Sequence, residues 1–308
     1  MTIVVAGGSG FVGTMLTKRL LGQGHTVVVV AINPPKFTHK ELFFIQCDLT
    51  NQSLPYNILE HADAVINLTG FPISKKWTIE NKKAIRDSRT KSTETIISAI
   101  AGAKSRPTVF ICASAIGFYG DTGDAVADEQ TTIGGTFLSE VVAEWEAGAR
   151  KATEYGVRVV CVRTAPVIGR GGILSFLHKS ARWGILPRLK KQDFWFSWIS
   201  DIDIVNVYLF ALETTTLQGV VNACAPEPVK FSELLHALKK IWKHRIIVTV
   251  PQWLGRKLFA GGYEEMTINS RIVPRRLLDK GFEFVLPTID AAIEHATETI
   301  TSTEDKNI

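Results

Sequence analysis

TIVVAGGSGFVGTMLTKRLL, residues 2–21, is the stretch that settles the architecture. Ile3, Val4, Val5 and Ala6 form a short, continuously apolar run, as a strand covered on both faces requires. Four glycines follow at Gly7, Gly8, Gly10 and Gly13, and a helical pattern begins at Phe11. A strand that turns through glycine straight into a helix offers the helix's first N–H groups and its positive end to a ligand beyond the strand. The spacing satisfies GxGxxG from Gly8 and GxxGxxG from Gly7. One glycine makes the tight turn, one lets a pyrophosphate approach the backbone, and one lets helix pack on strand. The motif alone is weak. Its strand–loop–helix setting assigns Gly7, Gly10, Phe11, Val12 and Gly13 to the phosphates of a dinucleotide.

Outward from this unit the alternation continues. Strand-like runs at 26–30, 42–47, 64–67, 108–113 and 157–163 are separated by helix-like stretches that include 78–101 and 137–154. Such alternation builds βαβ units around a parallel sheet. The predicted fold class is α/β, a doubly wound parallel Rossmann sheet over residues 1–168. After Pro166 the pattern loosens into a glycine-rich turn, a helix, the aromatic stretch DFWFSWIS, a helix from Asp203 with that aspartate as N-cap, and a strand at 220–223. Residues 169–300 read as a smaller α+β substrate domain. Within it, 200–225 are free to rejoin the sheet, and 301–308 read as a frayed tail.

The 308 residues are 45% hydrophobic and 21% charged, which supports one large core and a smaller one. The net charge is +5. The densest basic stretch, HKSARWGILPRLKK at 178–191, contains Pro187 and reads as a solvated loop and helix face, so no nucleic-acid partner is expected. Cys47, Cys112, Cys161 and Cys224 form no CxxC pair, and three lie in β-like runs. Reduced cysteines, no metal site and a cytoplasmic location are the expectation. No run reaches the roughly 18 apolar residues of a membrane helix, and no membrane partner is expected.

Several stretches carry a resemblance. DAVINLTGFPI with Lys76-Trp77-Thr78, DSR at 87–89, SAIGFYGD at 114–121, FLSEVVAEWE at 137–146, RTAPVIG at 163–169 and IVPRRLLDKGFEF at 272–284 follow in order along nearly the whole chain. Together with GxxGxxG they resemble the extended short-chain dehydrogenase/reductase superfamily, in its NAD(P)-dependent epimerase/dehydratase-like branch with a distinctive C-terminal domain. The resemblance implies that Asp48 and Leu49 contact the adenine, and that Leu68, Thr69 and Gly70 pass beside the cofactor. It places Ala113 and Ser114 at the end of strand five by the nicotinamide, and Ala165, Pro166 and Val167 near its amide. Arg89 faces either the pyrophosphate or the solvent.

That superfamily works with a tyrosine and a lysine four residues on, which a helix stacks on one face so that the ammonium lowers the phenol's pKa. None of the five tyrosines has such a partner, and the aligned helix offers Phe137 and Val141, with Trp145 continuing the face. The branch shares this loss. Either other groups do the chemistry or there is none. Ser114 and Tyr119, on the loop leaving strand five, are the candidate catalytic hydroxyls; the alternatives are a serine bonded to local backbone and a tyrosine lining the pocket. Trp77 is a candidate substrate wall or plain packing. Ser200 stands where relatives often carry a histidine.

The end of strand two reads Ala31-Ile32-Asn33-Pro34-Pro35-Lys36, without the acid that NAD enzymes use on the ribose. Asn33 and Lys36, with His39 or Lys40, favour NADP over NAD. Two readings follow. One is an oxidoreductase or epimerase-like enzyme acting through NADP(H) on a small polar substrate, a sugar nucleotide among the classes expected. The other is a non-catalytic NADP(H) sensor or regulatory module. Substrate, reaction direction and oligomeric state have no signature in the sequence.

Overall fold

The computed structural model describes residues 1–169, 171–189, 193–243, 245–259, 263 and 267–304. The apolar runs form seven strands: β1 (Thr2–Ala6), β2 (Thr26–Ala31), β3 (Leu42–Gln46), β4 (Ala64–Asn67), β5 (Val109–Ala115), β6 (Arg158–Thr164) and β7 (Gly219–Ala223). All pair in parallel, in the order β3-β2-β1-β4-β5-β6-β7. The helices are α1 (Phe11–Gly22), α2 (Ile79–Gly102), α3 (Phe137–Arg150), α4 (Gly172–Ala181), α5 (Asp201–Glu213), α6 (Phe231–Ile241), α7 (Gln252–Phe259), α8 (Arg275–Asp279) and α9 (Ile289–Glu304).

Alternation along the strands divides the core. Ile3, Val5, Ile66 and Ile111 pack with Leu16 and Leu20 of α1 and Val205 and Leu212 of α5. Val4, Val65, Phe110 and Cys161 pack with Ile96 and Ile100 of α2 and Trp145 and Ala149 of α3. Helices thus cover both faces, the condition under which an all-parallel sheet is stable. The strand order reverses between β1 and β4, which opens a crevice at the carboxyl ends of those strands.

A third cluster joins α4, α6 and α9 through Leu177, Trp198, Phe231, Leu234, Leu238 and Ile293. It carries two small sheets: a parallel pair of Ile185–Arg188 with Ile246–Thr249, and an antiparallel pair of Trp195–Phe196 with Val229–Lys230. Strand β7 follows α5 and pairs with β6 of the main sheet, Asn222 opposite Arg163, before the chain returns to this third cluster.

One detail differs from expectation. The helix after the aromatic stretch starts at Asp201, with Ser200 as its N-cap, not Asp203. Ser200 Oγ accepts from the Asp203 amide, and the buried Asp203 carboxylate is occupied elsewhere, by the amides of Val285 and Leu286 at 2.8 and 3.1 Å. Asp203 is the third residue of the helix, and its carboxylate also accepts from the Ser200 hydroxyl, at 2.7 Å. Residues 301–304 belong to α9, while 305–308 lie outside the described residues. Of the basic stretch, Lys190 and Lys191 also lie outside them. All four cysteines are buried and free.

Candidate functional site

The glycines divide their tasks by geometry. Gly7 has φ +74°, and a Cβ there would meet the Leu68 carbonyl carbon at 2.8 Å, so the loop after β1 touches the loop after β4. A Cβ on Gly13 would stand 2.3 Å from the Gly7 carbonyl oxygen, which is what lets α1 press on the loop. Gly10 is different. It caps α1 without a side chain that accepts from the first amides, and its Cβ would meet only the Gly7 oxygen, at 3.2 Å. Space therefore opens above Gly10, at the end of a helix whose amides and dipole suit phosphate. The residues present fit a dinucleotide pyrophosphate there. Phe11 lies 39% exposed beside this opening and packs against Gly171 of the loop entering α4.

Across the crevice the Leu68-Thr69-Gly70 loop is held rigidly. The buried Asn67 side chain accepts from the Thr69 amide and hydroxyl at 3.1 and 2.6 Å, and its own amide donates to Thr93. Thr69 also bonds Ser92, and the Phe71 amide donates to Ser88. Arg89, whose orientation the sequence left open, turns towards this loop. Its Nη1 donates to the carbonyls of Ile85 and Phe71, its guanidinium stacks over Trp145 at 5.3 Å, and Nη2 lies beside Gly70. Burial pushes its pKa down to about 10, which leaves it charged at neutral pH.

At the other end of the crevice, Asn33 and Lys36 are exposed on the loop after β2, where Lys18 of α1 also stands, over the Phe37 ring. Asp48 organises the turn after β3: its carboxylate accepts from the Thr50 amide and hydroxyl and from Asn51. The Thr50 hydroxyl is the main cause holding its pKa below the ordinary value. Leu49 is buried in the core, so any contact with a ligand is made by the turn rather than by that side chain.

Ser114 and Tyr119 belong to one buried network. Ser114, Arg163 and Asn222 are register neighbours on β5, β6 and β7. Ser114 Oγ donates to Glu146 Oε1 at 2.6 Å. Arg163 grips the same carboxylate with Nε and Nη2 at 2.7 and 2.8 Å, and donates from Nη1 to the Tyr119 hydroxyl at 2.9 Å. Tyr119 in turn donates to Asn222 Oδ1 at 2.7 Å. Each of Ser114, Tyr119, Glu146 and Arg163 is no more than 4% exposed. Burial disfavours the Arg163 charge, but the hydrogen bonds and charge of Glu146 outweigh it and raise its pKa. Burial pushes the Tyr119 phenol up to about 12. Sequence reasoning did not find Glu146, Arg163 or Asn222. The available signal was an arginine inside the apolar strand VVCVRT.

One row of α3 meets these residues. Glu146 touches Ser114, and Leu138 sits against Gly117, so the row facing the end of β5 is Leu138–Val142–Glu146. The Phe137–Val141–Trp145 row, which stands where the superfamily's pair would, lies a helical step round. Phe137 meets Trp77 edge-on at 5.5 Å, and Trp145 donates to Thr93 of α2. Neither row carries a tyrosine–lysine pair. Trp77 is pinned by its Nε1 bond to the Ile73 carbonyl, and the Lys82 ammonium lies 5.3 and 5.7 Å from the Phe137 and Trp77 rings. Ala113 is partly exposed on β5, Ala165 is buried, Pro166 is exposed, and Val167 pairs with Ile199. Among the described residues no group of His, Cys, Asp and Glu could hold a metal ion.

Comparison with known proteins gives the following. Residues 3–224 match the NAD dependent epimerase/dehydratase family, and residues 250–296 match a domain of unknown function, DUF1731. The chain is 33% identical over 291 residues to the chloroplastic epimerase family protein SDR39U1 homolog of Arabidopsis thaliana, covering 92% of this chain and 83% of that one. It is 32% identical over 298 residues to the epimerase family protein Mb2239 of Mycobacterium bovis, covering 96% and 97%. Among solved structures, human epimerase family protein SDR39U1 with NADPH superposes with a TM-score of 0.83 at 27% identity, covering 97% of this chain and 99% of that one. The nucleoside-diphosphate sugar epimerase of Corynebacterium glutamicum superposes at 0.76 and 29% identity, covering 96% and 58%.

Proposed function

Because the chain belongs to the NAD dependent epimerase/dehydratase family, we propose that it is an NADP(H)-binding, epimerase-like oxidoreductase acting on a small polar substrate, with sugar nucleotides the first class to test. The observation that carries this reading is the open space above Gly10 at the end of α1, opposite a loop locked by Asn67 and Ser92. A site rigid before binding loses less entropy on binding. Arg89 adds a cation beside Gly70. NADP is favoured over NAD because no acid ends β2, while Lys18 and Lys36 stand near that loop. The NADPH bound by the human relative agrees with this preference.

The bound cofactor would supply the hydride. This chain's own residues would bind, orient and exclude water. Trp77 and Phe137 form an aromatic corner, and Lys82 offers it a positive charge with no carboxylate partner among the described residues. Such a corner suits a substrate with an anionic group beside an apolar face. Ser114 and Tyr119 enter the proposal as positioning groups, since both hydroxyls are engaged with Glu146, Arg163 and Asn222.

That engagement is also the observation that favours a second reading, a non-catalytic NADP(H) sensor. The test is to follow NADPH absorbance while screening carbonyl compounds and sugar nucleotides. Turnover supports the enzyme. Tight NADPH binding with no turnover across the panel supports the sensor.

A further inference from the structure

Residues 169–192 and 234–263 hold twelve of the 35 lysines and arginines and none of the 30 acidic residues. The rest of the chain therefore carries 23 basic against 30 acidic residues, a net charge of −7 in a protein whose total is +5. A charge separation this strong is invisible in the overall composition. The fold brings the two segments together: Ile185–Arg188 from the first pairs in parallel with Ile246–Thr249 from the second.

That two-stranded sheet is amphipathic. Its inner side, Leu186 and Ile247, packs on the core of the C-terminal lobe. Its outer side shows Ile185, Ile246 and Val248, with Ile246 68% exposed. Ile185 and Ile246 are register partners, so they lie side by side. Trp183, 83% exposed, precedes the first strand, and Trp253, 68% exposed, follows the second at the start of α7. Two exposed tryptophans and three exposed aliphatic side chains are an unusual grouping for a surface facing only water. The same two segments carry exposed basic residues, among them Arg182, Lys239 and Lys243.

We infer that this face of the C-terminal lobe docks on an anionic phospholipid surface, with Trp183, Trp253, Ile185 and Ile246 entering the interface and the lysines and arginines drawn to the headgroups. Tryptophan rings settle at the headgroup level, and each basic residue near an anionic leaflet strengthens binding roughly fivefold. Aliphatic side chains favour a lipid interface over nucleic acid, where bases stack on aromatic rings and isoleucine offers little. No helix among the described residues is long and apolar enough to cross a membrane, so the association is peripheral. None of these exposed residues belongs to the glycine loop or to the strand ends that form the cofactor crevice.

The test is flotation of the full chain with vesicles of phosphatidylcholine containing about one-third phosphatidylserine, at ~0.1 M salt, against pure phosphatidylcholine. The expected result is binding to the anionic vesicles at least tenfold stronger than to neutral ones, with a blue shift of tryptophan emission. Trp183→Ser with Trp253→Ser should abolish the blue shift and weaken binding tenfold or more. Lys239→Gln with Lys243→Gln should weaken binding by about 25-fold while NADPH affinity stays unchanged. Absence of vesicle binding overturns the proposal, as does binding that these variants leave intact. Preferential binding of a DNA or RNA oligonucleotide over vesicles overturns it in favour of a nucleic-acid face. Concentration-dependent dimers lost in the tryptophan variants, without vesicle binding, overturn it in favour of a second copy of the chain.

Discussion

Removing the Glu146 carboxylate should be among the most damaging single changes to the Rossmann core. Glu146 is 2% exposed and Arg163 is 4% exposed, and they meet through two hydrogen bonds of 2.7 and 2.8 Å. Glu146→Ala leaves the guanidinium buried with only the Tyr119 hydroxyl to accept from it, and strips Ser114 of its acceptor. Breaking a buried pair in this way costs about 3–5 kcal/mol. Chains of 150–250 residues lose roughly 2–4 °C of melting temperature per kcal/mol, so the expected drop is about 10 °C. Removing both charges, Glu146→Met with Arg163→Met, leaves no unpaired ion and should recover at least half of that drop. The assay is thermal unfolding followed by circular dichroism. A Glu146→Ala protein melting within about 2 °C of the parent would refute the reasoning, and so would a double variant as unstable as the two single changes added together.

Other consequences are open to measurement. Burial raises the Tyr119 pKa from 10 to about 12, so its neutral form contributes stability that is whole below pH 10 and is lost as pH climbs towards 12. The melting temperature should therefore fall more steeply above pH 10 in the parent than in Tyr119→Phe, and parallel curves would count against this burial. NADPH should bind at least as tightly as NADH, and Lys36→Ala should narrow the gap by up to tenfold, about 1.4 kcal/mol. A parent protein that clearly prefers NADH would remove the NADP assignment. Gly13→Ala forces a Cβ to 2.3 Å from the Gly7 oxygen, so it should lower the melting temperature by several degrees and weaken NADPH binding together. A Gly13→Ala protein as stable as the parent would show that the helix does not rest on the loop as described.

The sequence was most readable where a residue type is demanded by the backbone. Gly7 and Gly13 were identifiable because no side chain fits where two loops, or a loop and a helix, touch. The parallel sheet was readable because strands buried on both faces are continuously apolar, and VVVV and VFIC are. The network of Glu146, Arg163 and Asn222 was not, because it joins three strands and a helix across more than a hundred residues, and local periodicity carries no information about such pairing. Which row of α3 meets this network was unreadable for a related reason. Phe137 and Leu138 are equally apolar, and only the contacts with Trp77 and Gly117 decide which one faces α2 and which faces the end of β5. Ser200 and Asp203 form a serine–x–x–aspartate cap, but a buried aspartate serving a distant loop, at Val285 and Leu286, has no local signature.

The proposed function requires a dinucleotide's pyrophosphate over Gly10. Calorimetric titration of Gly10→Val with NADPH tests it most directly. The backbone there has φ −73°, which valine accepts, and the new Cβ meets only the Gly7 oxygen, so the protein should fold and melt within a few degrees of the parent. The branched side chain would nevertheless fill the phosphate's space. The expected result is at least a hundredfold loss of NADPH affinity in a folded protein. Unchanged affinity in that folded variant would contradict the claim.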